Sequence, residues 1–142
     1  MGDDDAKWDL YLGAVIECEI DGRTCCLRGP DAEPLPADAP IFVLTAYNPG
    51  GEDRDDSLNE ASERTLEREL ASEGATFWPA IGHSRDGSWS EPGVALARFD
   101  RSRACAYGAR YGQLAVYELT TEQVHVVRCA DARIVGSAAR RK

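Results

Sequence analysis

Ile41-Phe-Val-Leu-Thr-Ala46 is the stretch that decides the fold, because its six residues form a continuous apolar run rich in strand formers. Such a run is typical of a central strand that is buried on both faces. It is followed by Asn48-Pro49-Gly50-Gly51, residues that favour a turn. The sequence therefore predicts that the chain leaves the middle of a sheet at Asn48.

Downstream of this strand the pattern predicts alternating helices and strands. Ser57, with Glu60 three residues on, has the form of a capping box, so a helix is expected from there to Gly74, with Leu58, Ala61, Leu66 and Leu70 on one face. The remaining expected elements are a strand over 75–81, a strand over 88–99, a helix over 101–111 and a strand over 114–119. The order β-α-β-β-α-β predicts an α+β fold with a ferredoxin-like split βαβ core, both helices lying on one face of a four-stranded sheet.

The remaining segments are expected to add to that core. Residues 5–12 have helical spacing, and Asp21-Gly22 joins two short strands in a hairpin. Residues 29–40 contain four prolines and are expected to form a loop. A further hairpin brings in a C-terminal strand over 124–129, and the basic tail 137–142 is expected to fray. All of this fits one domain over residues 1–142.

Composition excludes several classes of function. The chain has 142 residues and a net charge of −9, which disfavours binding to nucleic acid or to an anionic membrane surface. No apolar run approaches the roughly 20 residues of a membrane span, and the acidic start is unlike a signal peptide. An odd number of cysteines, five, argues against a secreted disulfide framework, so we expect a cytoplasmic protein with reduced thiols. No zinc spacing, phosphate loop or dinucleotide fingerprint occurs, and neither a metal nor a cofactor is expected.

Strand direction predicts where a site would lie. The first core strand and the strand over 75–81 both end at the same edge of the sheet, where the capped helix begins. Residues that are unusual for a core gather there, and we take them as candidate ligand-binding residues: Asn48, Ser57, Asn59, His83, Trp89, Arg110 and Gln113. Glu91 is the candidate general acid or base, since a neighbouring Trp89 and a closed rim would raise its pKa.

Each of these residues also has a purely structural interpretation. Asn48 suits a turn, Asn59 suits a hydrogen bond to the preceding loop, and Trp89 is often a packing residue. His83 lies in a polar turn that water would surround. The sequence alone leaves both interpretations open.

The chain resembles a known family of small bacterial proteins, the domain of unknown function numbered 3293. The resemblance rests on Thr45-Ala-Tyr-Asn-Pro49, Asn59, Pro79-Ala-Ile-Gly82, Trp89-Ser-Glu91 and Gly112-Gln-Leu-Ala-Val116, over about residues 8–119. It implies a single-domain cytosolic bacterial protein and implies no reaction, cofactor or partner. Pro92-Gly93 directly after Glu91 and Ala109-Arg110 before Tyr111 depart from the family pattern.

Three functions are compatible with these observations. The first is binding of a small polar or anionic molecule at the sheet end, with regulation as one use of that binding. The second is a hydrolase or transferase that uses Glu91 as general base, with Asn48 or Gln113 steadying developing charge. The third is a protein-interaction module, homodimerisation included, that acts through the sheet face or an edge strand.

Overall fold

The computed structural model describes the backbone from Asp3 to Lys142 and the side chains from Lys7 onward. Within that range the helices are α1 (Asp3–Leu12), α2 (Asp56–Ser72) and α3 (Arg101–Arg110), with a short 3-10 turn at Pro49–Gly51. The strands are β1 (Val15–Ile20), β2 (Arg23–Arg28), β3 (Ile41–Leu44), β4 (Thr76–His83), β5 (Ser90–Ala97), β6 (Ala115–Leu119), β7 (Gln123–Arg128) and β8 (Arg133–Ala139).

All eight described strands belong to one antiparallel sheet, in the order β2-β1-β4-β5-β3-β6-β7-β8. This corrects the predicted fold class: the protein is not a ferredoxin-like α+β core with appended pieces but a wide, curled antiparallel sheet with three short helices. The physical reason lies in the hairpins, because β1 hydrogen-bonds to β4 and β7 hydrogen-bonds to β6 along their lengths. Each hairpin therefore continues the sheet, and local periodicity does not show which edge a hairpin will join.

The two faces of the sheet carry different cores. The outer face, which includes Phe42, Leu96 and Val116, packs against Leu66 and Leu70 of α2 and against residues of α3. The inner face, which includes Val43, Ala95 and Tyr117, packs against α1 and against apolar residues of the loop 29–40. Since paired residues of neighbouring strands point to the same face, the register assigns each strand residue to one face.

Arg140 connects the two edges of the sheet, which shows how strongly the sheet curls. The Gly29 amide, directly after β2, donates to the Arg140 carbonyl at 2.9 Å, although β2 and β8 are the outermost strands. The Arg140 guanidinium is only 2% exposed and donates to the carbonyls of Leu27, Glu33 and Thr121. Residues 137–142, for which we expected a frayed tail, thus include the end of β8 and a buried anchor.

The start of α2 also differs from the predicted capping box. The helix begins at Asp56, and its N-cap is Asp55, whose carboxylate accepts from the Ser57 amide at 2.8 Å and from the Ser57 hydroxyl. Asp at the N-cap is as good as Ser, so the acidic run preceding the helix supplied an earlier cap. No described helix is both long enough and apolar enough to cross a bilayer.

Candidate functional site

Asn48 is the residue around which the candidate site is built. It follows β3 with φ 48° and ψ 64°, a left-handed conformation that asparagine tolerates better than most residues. Its amide nitrogen Nδ2 donates to Glu91 Oε2 at 2.9 Å, and its backbone N–H donates to Asn59 Oδ1 at 2.9 Å. Asn48 therefore links the end of β3 to both α2 and β5.

Asn59 lies beside Asn48 as predicted, but its amide is fully engaged. It is 1% exposed, and its Oδ1 accepts from the Asn48 amide and from Arg54 Nε. Its Nδ2 donates to Asn48 Oδ1 and to the Arg54 carbonyl. An amide side chain has no further capacity after these four bonds. Asn59 thus fixes the loop 48–54 and leaves nothing for a ligand.

Glu91 occupies a half-buried position at the end of the inner face. It pairs with Gly82 of β4, so a residue without a side chain lies directly across the ladder from it. Burial raises the pKa of Glu91 and the negative charge of Asp53 raises it further, while hydrogen bonds from Asn48 and Trp89 oppose the rise. The carboxyl is therefore oriented by two donors yet disfavoured as a full charge.

Trp89 completes what we call the rim site, defined as Asn48, Trp89 and Glu91. Its side chain is 42% exposed, and its ring lies over Gly82, with the ring atom Cη2 3.9 Å from where a Cβ on that glycine would lie. The indole, which has a single N–H donor, also hydrogen-bonds Glu91. A half-exposed aromatic surface thus stands next to an oriented carboxyl.

Gln113 supports the same end of the sheet from the other side. Its Nε2 donates to the Tyr47 carbonyl at 2.8 Å, one residue before Asn48. The preceding residue, Gly112, packs so closely on Pro49 that a Cβ added to this glycine would lie 2.7 Å from the proline Cβ. Gln113 also lines a cleft of about 390 Å³ between α1 and α3, and the residues lining that cleft do not include Glu91.

Three of the predicted ligand-binding residues lie elsewhere. His83 contacts Glu17 at 3.2 Å and pairs with Ser90, so it lies on the face opposite to Glu91. Arg110 forms an ion pair with Glu69 at 2.5 Å. Ser57 contributes only to its helix cap. Successive side chains of a strand point to opposite faces, and successive side chains of a helix point in different directions. Residues that are close in sequence can therefore lie far apart around a site.

Two residues beside the site were not predicted from the sequence. Arg54 donates to the backbone of Ala46 and to Ser62 as well as to Asn59, and so closes the loop 48–54 onto α2. Glu63 is 7% exposed; its Oε1 accepts from the Ala46 amide at 2.9 Å, whereas its Oε2 has no partner among the described residues. Burial raises the pKa of Glu63 to about 7.

A signal for Glu63 was present in the helix period. The buried stripe of α2 contains Asn59, Glu63, Leu66 and Leu70, spaced by four, three and four residues. Leu58, which we placed on the buried face, is 55% exposed. Two polar residues at core spacing on a helix indicate a polar contact in the interior. Here Asn59 and Glu63 accept hydrogen bonds from the backbone N–H groups that follow β3.

A comparison with protein-family models matched residues 44–116, just over half of the chain, to the family described as "Protein of unknown function (DUF3293)". The chain belongs to the DUF3293 family. The resemblance seen in the sequence is thereby confirmed. Neither a curated protein nor a solved structure matched the chain.

The DUF3293 match contains the whole rim site together with Asn59 and Gln113. It begins at the last residue of β3 and ends within β6, so α1, β1, β2, β7 and β8 lie outside it. Among the described residues no cluster of three or more His, Cys, Asp or Glu side chains could hold a metal ion.

Proposed function

We propose that this protein binds a small polar molecule at the rim site. The observation that carries the proposal is the contact between Asn48 and Glu91, which holds a half-buried carboxyl beside the half-exposed ring of Trp89. Fixing a carboxyl in one orientation costs free energy, and binding sites combine such oriented polar groups with apolar surface.

The chemistry of the rim favours a ligand that donates hydrogen bonds. Glu91 is an acceptor when ionised, and Asp53 adds negative charge nearby, so an anion would be repelled. The Trp89 ring offers a flat apolar surface, of the kind on which a sugar ring or an aliphatic amine can lie. The expected ligand is therefore neutral or cationic and carries hydroxyl or amino groups. The sequence had suggested a small polar or anionic ligand, and the proposal here keeps the polar class and leaves out the anionic one.

A thermal-shift screen with sugars, polyols, amino sugars and aliphatic amines tests this function. We expect at least one hydroxyl- or amino-bearing class to raise the unfolding midpoint, because a ligand that binds only the folded state stabilises it. Calorimetric titration of each hit is then repeated on Glu91→Gln and Asn48→Ala, where affinity is expected to fall about tenfold. His83→Gln is the matched control, because His83 lies on the neighbouring strand but on the opposite face. Equal affinities in all four proteins, or no hit, would contradict the proposal.

A second candidate uses the same carboxyl for catalysis, as a hydrolase or transferase with Glu91 as general base. The raised pKa of Glu91 favours it, since a base is most effective when its pKa approaches the working pH. An activity panel built on the classes that bind would test it. Turnover that disappears in Glu91→Gln while binding persists supports catalysis, and equal turnover in both proteins contradicts it.

A further inference from the structure

A second feature, which shares no residue with the rim site, lies at the end of the edge strand β2. Arg28, the last residue of β2, is 3% exposed, and it donates from Nη1 to the Ala14 carbonyl at 3.2 Å. Its Nε is buried and has no partner, and no described carboxylate pairs with it. A buried guanidinium without a counter-charge is costly, and proteins normally pair such a group.

Arg140 provides an internal comparison, because it is equally buried. Its guanidinium donates to three carbonyl oxygens, those of Leu27, Glu33 and Thr121. Arg28 has one such bond. Burial lowers the pKa of Arg28, and the neighbouring charge of Arg85 lowers it further, so a second cation faces Arg28 where a counter-ion would be expected.

Arg28 lines a cleft of about 500 Å³ between the end of α1 and β8. We call it the cation cleft, because Arg28, Arg85 and Lys142 line it and Asp9 is the one acidic side chain among the lining residues that the structure describes. Arg85 also donates to the main-chain oxygen of Lys142, which holds these two residues together at the mouth. Although the chain has a net charge of −9, three basic side chains and one acidic side chain line this cleft among the described residues.

We propose that the cation cleft binds a small oxyanion, a phosphate or carboxylate group, on the Arg28 guanidinium. A guanidinium presents parallel N–H donors that match two oxygens of such a group, and a buried setting strengthens the bond. Arg85 and Lys142 supply further positive charge at the mouth of the cleft. The volume of the cleft lies in the range of small-molecule sites. The cation cleft shares no lining residue with the rim site, and this proposal does not rest on the function proposed for the rim site.

Unfolding midpoints in inorganic phosphate and in succinate, each compared with chloride at equal ionic strength, test the proposal. At about 20 mM we expect at least one of these anions to raise the midpoint of the wild type by about 5 °C. A response to phosphate alone assigns a phosphate group, and a response to succinate alone assigns a carboxylate. A wild type that responds to neither anion overturns the proposal.

Variants decide whether the response arises in the cleft. Arg28→Met removes a buried unpaired charge while keeping bulk, so it is expected to match or exceed wild-type stability in chloride and to lose the anion response. If Arg28→Met does not fold, the double variant Arg85→Ala, Lys142→Ala carries the test, because both residues are exposed; we expect about tenfold weaker binding. Arg141→Ala is the matched control, since Arg141 is an exposed neighbour that does not line the cleft.

A double variant that keeps the wild-type response to the anion would show that the anion acts by general charge screening, or as an adventitious ion only, and would overturn the proposed site. Glu91→Gln is expected to keep the response, which separates this site from the rim site.

Discussion

Asn48 and Glu91, 43 residues apart in the chain, are joined by a hydrogen bond of 2.9 Å from Nδ2 to Oε2. The bond crosses from the end of β3 to the start of β5, two strands that are paired in the sheet. It fixes the Glu91 carboxylate against the Asn48 side chain, so the position of Glu91 depends on the left-handed backbone at Asn48.

Replacing Asn48 separates its backbone role from its side-chain role. Asn48→Gly keeps the left-handed conformation but removes three side-chain hydrogen bonds, whereas Asn48→Ala also strains the backbone. We expect both variants to unfold more easily in urea, with the alanine variant less stable than the glycine variant by about 1 kcal/mol. Equal stability of the two variants would show that the positive φ costs nothing there.

Glu63 makes stability depend on pH in an unusual direction. Its pKa is raised to about 7 in the folded protein, so between its ordinary value of about 4.3 and 7 the unfolded chain has released a proton that the folded protein keeps. The contribution of Glu63 to stability is therefore complete below pH 4 and is lost as the pH rises to about 7, by roughly 3 kcal/mol in total.

Glu63→Gln removes this dependence. The amide oxygen can still accept from the Ala46 amide, and the variant carries no charge to desolvate. We expect it to exceed the wild type in free energy of unfolding at pH 8, by a margin that shrinks steadily toward pH 4, as measured by urea titration across that range. Parallel pH profiles for the two proteins would rule out Glu63 as the source.

Gly93 is required where β5 passes β3. A Cβ at this position would lie 2.4 Å from the Leu44 carbonyl oxygen, a backbone atom that cannot move aside cheaply. Gly93→Ala is expected to cost about 3 kcal/mol or to prevent folding, as measured by urea denaturation. Gly13→Ala is the control, because its nearest atom would lie 3.6 Å from the new Cβ; a similar loss in both variants would contradict the crowding at Gly93.

Arg140 is expected to be the most important residue of the C-terminal segment for stability. Arg140→Met removes the donor to the buried Leu27 carbonyl and to the part-buried carbonyls of Glu33 and Thr121, at an expected cost of about 2–4 kcal/mol in unfolding free energy. The exposed neighbour Arg141 donates to Ala32 alone, and Arg141→Ala is expected to change stability by less than about 0.5 kcal/mol. Near-equal values for the two variants would mean that the segment after β8 does not hold the edges together.

Local structure could be predicted from the sequence wherever a local rule applied. The apolar run Ile41–Ala46 contains a buried strand, and Asp21-Gly22 forms the expected tight turn with positive φ at both residues. The overall sheet could not be predicted, because the pairing of β1 with β4 depends on contacts some 60 residues apart that leave no local pattern.

For the candidate site as well, some placements could be predicted from the sequence and others could not. Strand direction predicted that Asn48, Glu91 and Gln113 lie at one end of the sheet, and they do. It did not predict on which face His83 lies, because a shift of one residue along a strand reverses the face. Arg28 was not predicted from the sequence, because its burial depends on the residues of α1 and β8 that line the cleft with it.

The ionisation of Glu91, followed by its carboxyl carbon resonance as a function of pH, tests the rim site most directly. We expect a pKa above the ordinary glutamate value in the wild type, because burial outweighs the two hydrogen bonds, and a further rise in Asn48→Ala, because that variant loses a bond to the charged form. A Glu91 that titrates at the ordinary value in both proteins would contradict the account.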